Sequence, residues 1–438
     1  MRLLRAAWVA PIADDPVADG ALALDGGLIV AVGPWERVRA DHPDAVVDDV
    51  GGVVLIPGLI DVHCHLEWSL VGGLFSGAHG FGRWIAGLLS LFPLAEGLLD
   101  DAARLAALRA LQAGSTTLHD NGPTGAGVAA LTEAGLRGTV HLEAFGSDPA
   151  AAGEVARRTA DGVAALAAAA GPRVAVGVSP HAPYSAGPEL WHALTRALPD
   201  GVSWSTHIAE SQDERDALSG RAGGLADVFA PIGVGIARWP GAAHGSSVRA
   251  MAEAGVLGEG LVAAHLVHVD ERDAELLARH GVRAAHCPVS NATLRCGRSP
   301  VEMLRAAGVP LALGTDSPGS AGTYDLRAEA RACLATHAAA GLHHTPRELL
   351  AMCTRDAAHA LGRDDVGALV PGRRADVVAI RPRPEALPGD PHAAALDAGS
   401  RVEHVWVDGE PLLRDGIPVR VDAAEIETRA GGRRLAVC

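Results

Sequence analysis

The sequence predicts an α/β protein: a (β/α)8 TIM barrel carrying a small β-sandwich domain formed by both chain ends. Three observations predict it. The middle of the chain alternates short apolar strands with Ala-rich helical stretches, the pattern of βα units around a parallel sheet. Eight such strands can be counted, and roughly 250 residues or more is the ordinary size of an eight-unit barrel. The two ends differ from the middle and resemble each other, with short β-like runs broken by Gly-Gly and Asp-Gly turns. This places a composite β-sandwich at 1–56 and 366–438 and the barrel at 57–365.

Taken in order, the N-terminal β material is "ALALDGG", "LIVAVGP" and "VVDDVGGVVLIPG". The barrel strands follow as "LIDVHCH", "STTLHDN", "GTVHLEAF", "VAVGVSPHA", "VSWSTHIAE", "LVAAHLVHV", "VRAAHCPVS" and "VPLALGTDS". "GALVPGRRADVVAI" and "RVEHVWVDGEPLLRDG" close the chain. Nearly every barrel strand ends in His, Glu, Asp, Ser or Asn. A barrel gathers its C-terminal strand ends on one face, so residues remote in sequence converge there.

Composition narrows the partners. The 438 residues carry a formal charge of −15, which argues against a polyanion-binding surface. Neither nucleic acid nor a membrane is expected as partner; a small-molecule substrate is, and a homodimer is the commonest default assembly. With 48% hydrophobic but only 3% aromatic residues, the core is aliphatic. The six Cys are scattered with no C-x-x-C pair, which reads as a reduced, cytoplasmic protein. The start, "MRLLRAAWVAPIADDP", has no signal-peptide core, and no apolar run reaches the roughly 20 residues a membrane helix needs. All basic residues are Arg; the chain contains no Lys.

The chemistry starts at "PGLIDVHCHLEWS", where a strand with a buried pattern carries two histidines. Side chains alternate along a strand, so His63 and His65 share a face and Cys64 points away as a packing residue. Two imidazoles about 7 Å apart along a strand can grip one metal ion. "STHIAES" adds His207 at the end of the fifth strand, with Glu210 in the loop. "LGTDS" adds Asp316 at the end of the eighth. Three His and one Asp make a site for one divalent metal ion with room for water. Zn2+ is the first expectation, and Fe2+ or Mn2+ suit the same donors.

The motifs "PGLIDVHCH", "SPHAPYS", "HIAES", "AHLVHVD", "HCPVSN" and "LGTDS" together resemble the amidohydrolase superfamily, in its cytosine-deaminase and chlorohydrolase-like branch. The resemblance covers nearly the whole chain. Within that branch "HCHLEWS", "FGRW", "EAFG" and "GVSPHAPYS" are most similar to the aminodeoxyfutalosine deaminases of menaquinone biosynthesis. The chain departs from them at Val289, where that family carries Arg, and at Pro318-Gly319, where it carries Leu-Ala. Many superfamily members bridge two metals with a carboxylated Lys on the fourth strand. A chain without Lys cannot, so one metal ion is expected.

The resemblance implies roles. Asp316 takes a proton from the attacking water, His265 at the end of strand six orients it, and Glu210 serves as acid and base. His181 resembles a residue that reaches the substrate sugar. Glu67, on the face of His65, could bind a hydroxyl or amine, or hydrogen-bond a metal-site His. Trp84 and Phe81 could cover an aromatic base. Ser290 and Asn291 could contact the substrate or brace His265. His119, Asp120, His268, His286, His343 and His344 receive no role. The implied activity is hydrolytic deamination of an aminated purine nucleoside, with aminodeoxyfutalosine favoured. S-adenosylhomocysteine, adenosine, guanine, cytosine or a triazine would suit the same site. A non-catalytic binding relative would be marked by a missing ligand or a missing Glu210, and none is missing.

Overall fold

The computed structural model describes residues 1–75, 80–91, 93–94, 97–242 and 245–437. Five strands open the chain: β1 (Arg2–Val9), β2 (Val17–Asp25), β3 (Leu28–Pro34), β4 (Val46–Asp49) and β5 (Val54–Pro57). Eight strands alternating with helices follow: β6 (Leu59–Cys64), β7 (Ser115–Gly122), β8 (Arg137–Ala144), β9 (Val174–Pro180), β10 (Ser205–Ile208), β11 (Val262–His265), β12 (Arg283–His286) and β13 (Leu311–Leu313). The last four are β14 (Val377–Arg381), β15 (Arg401–Val407), β16 (Glu410–Arg414) and β17 (Ile417–Pro418).

Strands β6 to β9 pair side by side in parallel, and β10 to β13 do the same. Parallel bridges Val178–Trp204 and Cys64–Asp316 join the two halves, so the eight strands close on themselves. The expected (β/α)8 barrel is present, with all eight strands where the motifs placed them. Parallel strands are covered on both faces and carry near-continuous apolar runs. In β6 every residue is buried, so Asp61 and His63 are polar exceptions that need a reason. The surrounding helices turn Ala to the strands; in Leu98–Gln112, residues Ala102, Ala103, Ala106, Ala107 and Ala110 are all buried. Small side chains let that helix lie close to the barrel wall.

The two chain ends form one continuous sheet in the order β17-β16-β15-β14-β5-β1-β2-β3, with β4 on β1. It curls over a core of its own, in which Leu4, Leu24, Ile29, Leu55, Val377 and Trp406 pack together from six strands. The ends knit further through Ile29 N–H donating to Arg373 O at 2.8 Å and Ala375 N–H to Gly27 O at 2.9 Å. Beyond Pro418 the chain leaves the sheet. Helix Ala423–Val437 returns to the barrel, where Arg429 and Arg433 bond to the buried carboxylate of Asp101. No helix among the described residues is long and apolar enough to cross a membrane.

Sheet and barrel are bolted together by a buried ion pair. Arg137 at the start of β8 meets both oxygens of Asp376, at 3.1 and 3.2 Å, and also Asp408 at 2.8 Å. Removing one partner of a buried pair leaves the other charge uncompensated, at a cost of about 3–5 kcal/mol. Because Asp408 stays on Arg137, Asp376→Ala is expected near the lower end, about 3 kcal/mol. A urea titration checks this; a loss under about 1 kcal/mol would mean that Asp408 alone suffices.

Candidate active site

The mouth of the barrel collects the expected residues. His63 ends β6 and its ring lies 4.9 Å from those of His65 and His207 and 5.7 Å from that of His265. Asp316 follows β13, with Oδ1 at 3.3 Å from His65 Nε2 and 3.8 Å from His63 Nε2. Donor atoms of His63, His65 and Asp316 lie within 4.8 Å of one another, as do those of His63, His207 and His265. Four elements remote in sequence therefore aim ligand atoms at one small volume.

The tautomers show what that volume suits. His65 Nδ1 donates to Asn121 O at 2.8 Å, and His207 Nδ1 donates to His181 O at 2.7 Å. A carbonyl only accepts, so both protons sit on Nδ1 and both Nε2 atoms present lone pairs. Those two Nε2 atoms face each other at 3.1 Å. Burial pushes both rings below the ordinary histidine range, keeping them neutral. Two lone pairs at that distance repel unless a cation lies beside them. His63 Nε2 is likewise buried without a partner. The Asn121 amide stands 3.1 Å from His63 Nδ1. Turned so that its oxygen accepts from Nδ1–H, it frees Nε2 for the same cation. The donor set fits a divalent ion held by His63, His65, His207 and Asp316.

The backbone is bent to make this. Ala209, His265, Leu266 and Asp316 all have positive φ, between 47° and 75°. Non-glycine residues there carry strain that the surroundings must hold, and such positions cluster at functional sites. The braces are visible. Asp316 Oδ2 accepts from Ser290 Oγ at 2.5 Å and Ser320 Oγ at 2.7 Å, which leaves Oδ1 facing the histidines. Glu214 accepts from the N–H groups of Ala209 (2.9 Å) and Glu210 (3.0 Å), fixing the loop after β10. Asp61 accepts from Thr315 Oγ1 at 2.5 Å and from His63 N–H at 3.2 Å, sewing β6 to the end of β13. Gly314 lets β13 pass close over β6; a Cβ there would stand 2.7 Å from His63 O and 3.0 Å from His63 Cβ. Gly314→Ala is expected to cost about 1–3 kcal/mol by overpacking. It should also displace His63, so metal content should fall in protein that still folds; unchanged metal content would refute this.

Glu210 is 4% exposed, and its Oε1 lies 3.6 Å from His265 Nε2. Burial first, then the Asp316 and Glu214 charges, push its carboxyl well above the ordinary range. His265 Nδ1 donates to Asn291 Oδ1 at 3.0 Å, so its Nε2 lone pair faces Glu210.

The other expected residues divide. His181 is half-buried at the mouth, its Nδ1 2.7 Å from Ser185 Oγ and its ring 4.8 Å from that of Phe145, which is 47% exposed. Trp84 donates Nε1–H to Gly319 O at 3.2 Å and packs with Phe81, Tyr184, Val267, Leu294 and Cys296. Ser290 and Asn291 serve Asp316 and His265, and both are buried. Glu67 is turned away from any ligand role: its carboxylate accepts from Thr124 Oγ1 at 2.9 Å and Ala126 N–H at 3.0 Å, anchoring the loop after β7. Sequence reasoning passed over Asp61, Asn121, Glu143, Glu214 and Ser320. Glu143 ends β8 with Oε1 buried and unpartnered, 4.0 Å from His65 Nδ1. Its place at a strand end was the available signal.

Known proteins resemble this chain over nearly its whole length. Residues 54–412 match the amidohydrolase family, and 20–45 match a bacterial imidazolonepropionase-like composite domain. A 5-methylthioadenosine/S-adenosylhomocysteine deaminase of Syntrophobacter fumaroxidans is 34% identical over 429 residues, covering 94% of this chain and 92% of that protein. An adenosine deaminase from Xanthomonas campestris, solved with bound zinc, shares the fold with a TM-score of 0.77 at 23% identity, covering 100% of this chain and 98% of its own. The Helicobacter pylori aminofutalosine deaminase, solved with methylthio-coformycin, does so with a TM-score of 0.79 at 19% identity, covering 94% of this chain and 100% of its own. The family match runs from the sheet through the whole barrel and back into the sheet, as the motifs implied, and this chain is an enzyme that belongs to the amidohydrolase family.

Proposed function

We propose that the enzyme hydrolytically deaminates a purine nucleoside that carries an apolar 5′ substituent, with 5′-methylthioadenosine as the first candidate. The observation that carries the chemistry is Glu210: a buried, neutral-leaning carboxyl beside His265 at the edge of the three-His, one-Asp cluster. His63, His65, His207 and Asp316 would hold one divalent ion. Zinc suits the donors best, and iron(II) or manganese share them. Such an ion, when bound, lowers the pKa of water toward about 7. The remaining work falls to the chain. Asp316, with Oδ2 held by two serines, offers Oδ1 to receive the proton of the attacking water. His265, fixed by Asn291, orients that water. Glu210 gives its proton to the ring nitrogen next to the amine-bearing carbon. The water oxygen adds to that carbon, Asp316 hands the proton it received to the amine, and as the C–N bond breaks and ammonia leaves, Glu210 takes the remaining proton of the added hydroxyl and is restored.

Two observations support the substrate reading. The full-length relative acts, by name, on methylthioadenosine and S-adenosylhomocysteine. The apolar wall of Phe81, Trp84, Tyr184 and Val267 stands beside His181, whose ring lies 5.7 Å from that of Tyr184; it suits a base and a thioether. Val289, where the aminodeoxyfutalosine deaminases carry Arg, offers no partner to an anionic tail. The second reading is aminodeoxyfutalosine itself, favoured by "HCHLEWS" and "FGRW". The buried free thiols Cys64, Cys287, Cys296, Cys333 and Cys353 support a reducing, cytoplasmic setting. Ammonia release tests the choice, with zinc-loaded enzyme offered 5′-methylthioadenosine, S-adenosylhomocysteine, aminodeoxyfutalosine, adenosine and guanine. Turnover of methylthioadenosine above the rest is expected. Aminodeoxyfutalosine alone would shift the substrate, and no ammonia from any would overturn the deaminase reading.

A further inference from the structure

A second group of ligand-type side chains lies outside the mouth and shares no residue with it. His286 ends β12 and turns toward helix Leu326–Ala338, its ring 5.7 Å from that of His337. On that helix Cys333 and His337 stand four residues apart, so they share one face. The donor atoms of His286, Cys333 and His337 lie within 4.8 Å of one another, and all three residues are at most 2% exposed. Glu302, from helix Val301–Ala306, brings Oε1 to 3.6 Å from His337 Nδ1. His344 reaches the same Nδ1 at 2.8 Å.

We propose that His286, Cys333 and His337 form a second cation site, for a zinc-class ion, braced by His344 and Glu302. Two independent observations carry it. Both ring nitrogens of His286 are buried without a hydrogen-bond partner, and so is Glu302 Oε1. Leaving a buried polar group unpaired costs about 1–3 kcal/mol, and one His286 nitrogen lies in the donor group with Cys333 and His337 while Glu302 Oε1 faces His337. The spacing also fits. Tetrahedral zinc with bonds of about 2.0–2.3 Å sets its ligands roughly 3.5 Å apart. Cys333 Sγ stands 3.7 and 3.8 Å from the two ring nitrogens of His337.

The bracing repeats that of the mouth. A proton on His337 Nδ1, shared with His344, leaves Nε2 as a lone pair toward Cys333, the usual outer support of a metal-bound histidine. One thiol with two imidazoles selects zinc or copper(I) over magnesium or calcium. Arg298 and Arg305 lie within electrostatic reach; Arg298 bonds to Glu302 Oε2 at 3.3 Å and leaves Oε1 for the site. Binding releases the Cys333 thiol proton to solvent and brings the cation as M2+, so the inner set carries a net single positive charge beside Glu302. The ion would pin β12 to its outer helix just before Ser290 and Asn291, which brace the mouth.

Cobalt(II) loading of the full-length chain separates the two sites, because no mouth donor is a thiol. Wild type is expected to take two equivalents per chain and to show thiolate-to-cobalt absorption in the near ultraviolet. Cys333→Ser should take one equivalent and lose that absorption. His286→Ala should weaken it at least tenfold in apparent affinity. His63→Ala should keep it while losing the other equivalent. One equivalent in wild type with no thiolate band would overturn the proposal, and so would a band that survives Cys333→Ser. The wild-type measurement decides even where a variant folds poorly.

Discussion

Glu210→Gln is expected to keep its metal and lose roughly 10²–10⁴-fold in kcat, the usual worth of a positioned acid–base group. Several features make this a clean removal. Gln has nearly the same shape, so the buried space stays filled. The loop that carries residue 210 is held from the other side, by Glu214 on the N–H groups of Ala209 and Glu210. Nothing in that clamp uses the Glu210 side chain. Glu210 is not in the inner donor set, so its loss leaves the three histidines and Asp316 intact. An amide can still hydrogen-bond to a ring nitrogen but cannot deliver a proton to it. Substrate should therefore bind while the chemical step stalls, and KM should move much less than kcat. Steady-state ammonia release and metal content by mass spectrometry check both halves. Activity within tenfold of wild type would remove Glu210 from proton transfer. A lost metal equivalent would make it a structural element of the site.

Much of the site was legible because barrel geometry turns sequence position into spatial position. Once eight strands are counted, a polar residue at a strand end must lie at the mouth, and alternation puts His63 and His65 on one face. The rest depended on contacts that no local pattern encodes. Asn121 braces two histidines from the next strand, with its side chain on His63 and its carbonyl on His65. Alternation predicts Glu67 on the face of His65, but the strand ends at Cys64 and Glu67 lies in the 3-10 helix Leu66–Val71, where the N–H groups of Thr124 and Ala126 hold its carboxylate. Ser290 and Asn291 sit on the short helix Pro288–Thr293, which turns them back to Asp316 and His265. His286 received no role because its neighbours Cys333 and His337 come from a helix four elements later. The order of the sheet was hidden too, because the pairing of β5 with β14 joins runs from opposite ends of the chain.

His207→Ala is expected to strip the mouth of its metal and take deaminase activity below detection. The imidazole is held by one outer contact, Nδ1–H to His181 O at 2.7 Å, and its Nε2 faces the cluster. Alanine removes a ligand outright, whereas Asn121→Ala removes only a brace. Loss of an outer partner typically weakens metal binding about 10–100-fold, so Asn121→Ala should still load at raised zinc. His207→Ala should not load at the same concentrations, because Asp316, His63 and His65 would be left around an open side. Its fold should survive: the cavity lies at the strand ends, while the packed core of Leu118, Leu131, Val140, Leu277 and their neighbours lies elsewhere. The variant should therefore unfold cooperatively in urea yet carry one metal equivalent fewer. Added imidazole, small enough for the vacated space, should restore part of the metal and part of the activity. Full metal content with wild-type turnover in His207→Ala would remove this residue from the metal set. Equal losses in His207→Ala and Asn121→Ala would mean that the amide, and not the second imidazole, governs how the ion is held.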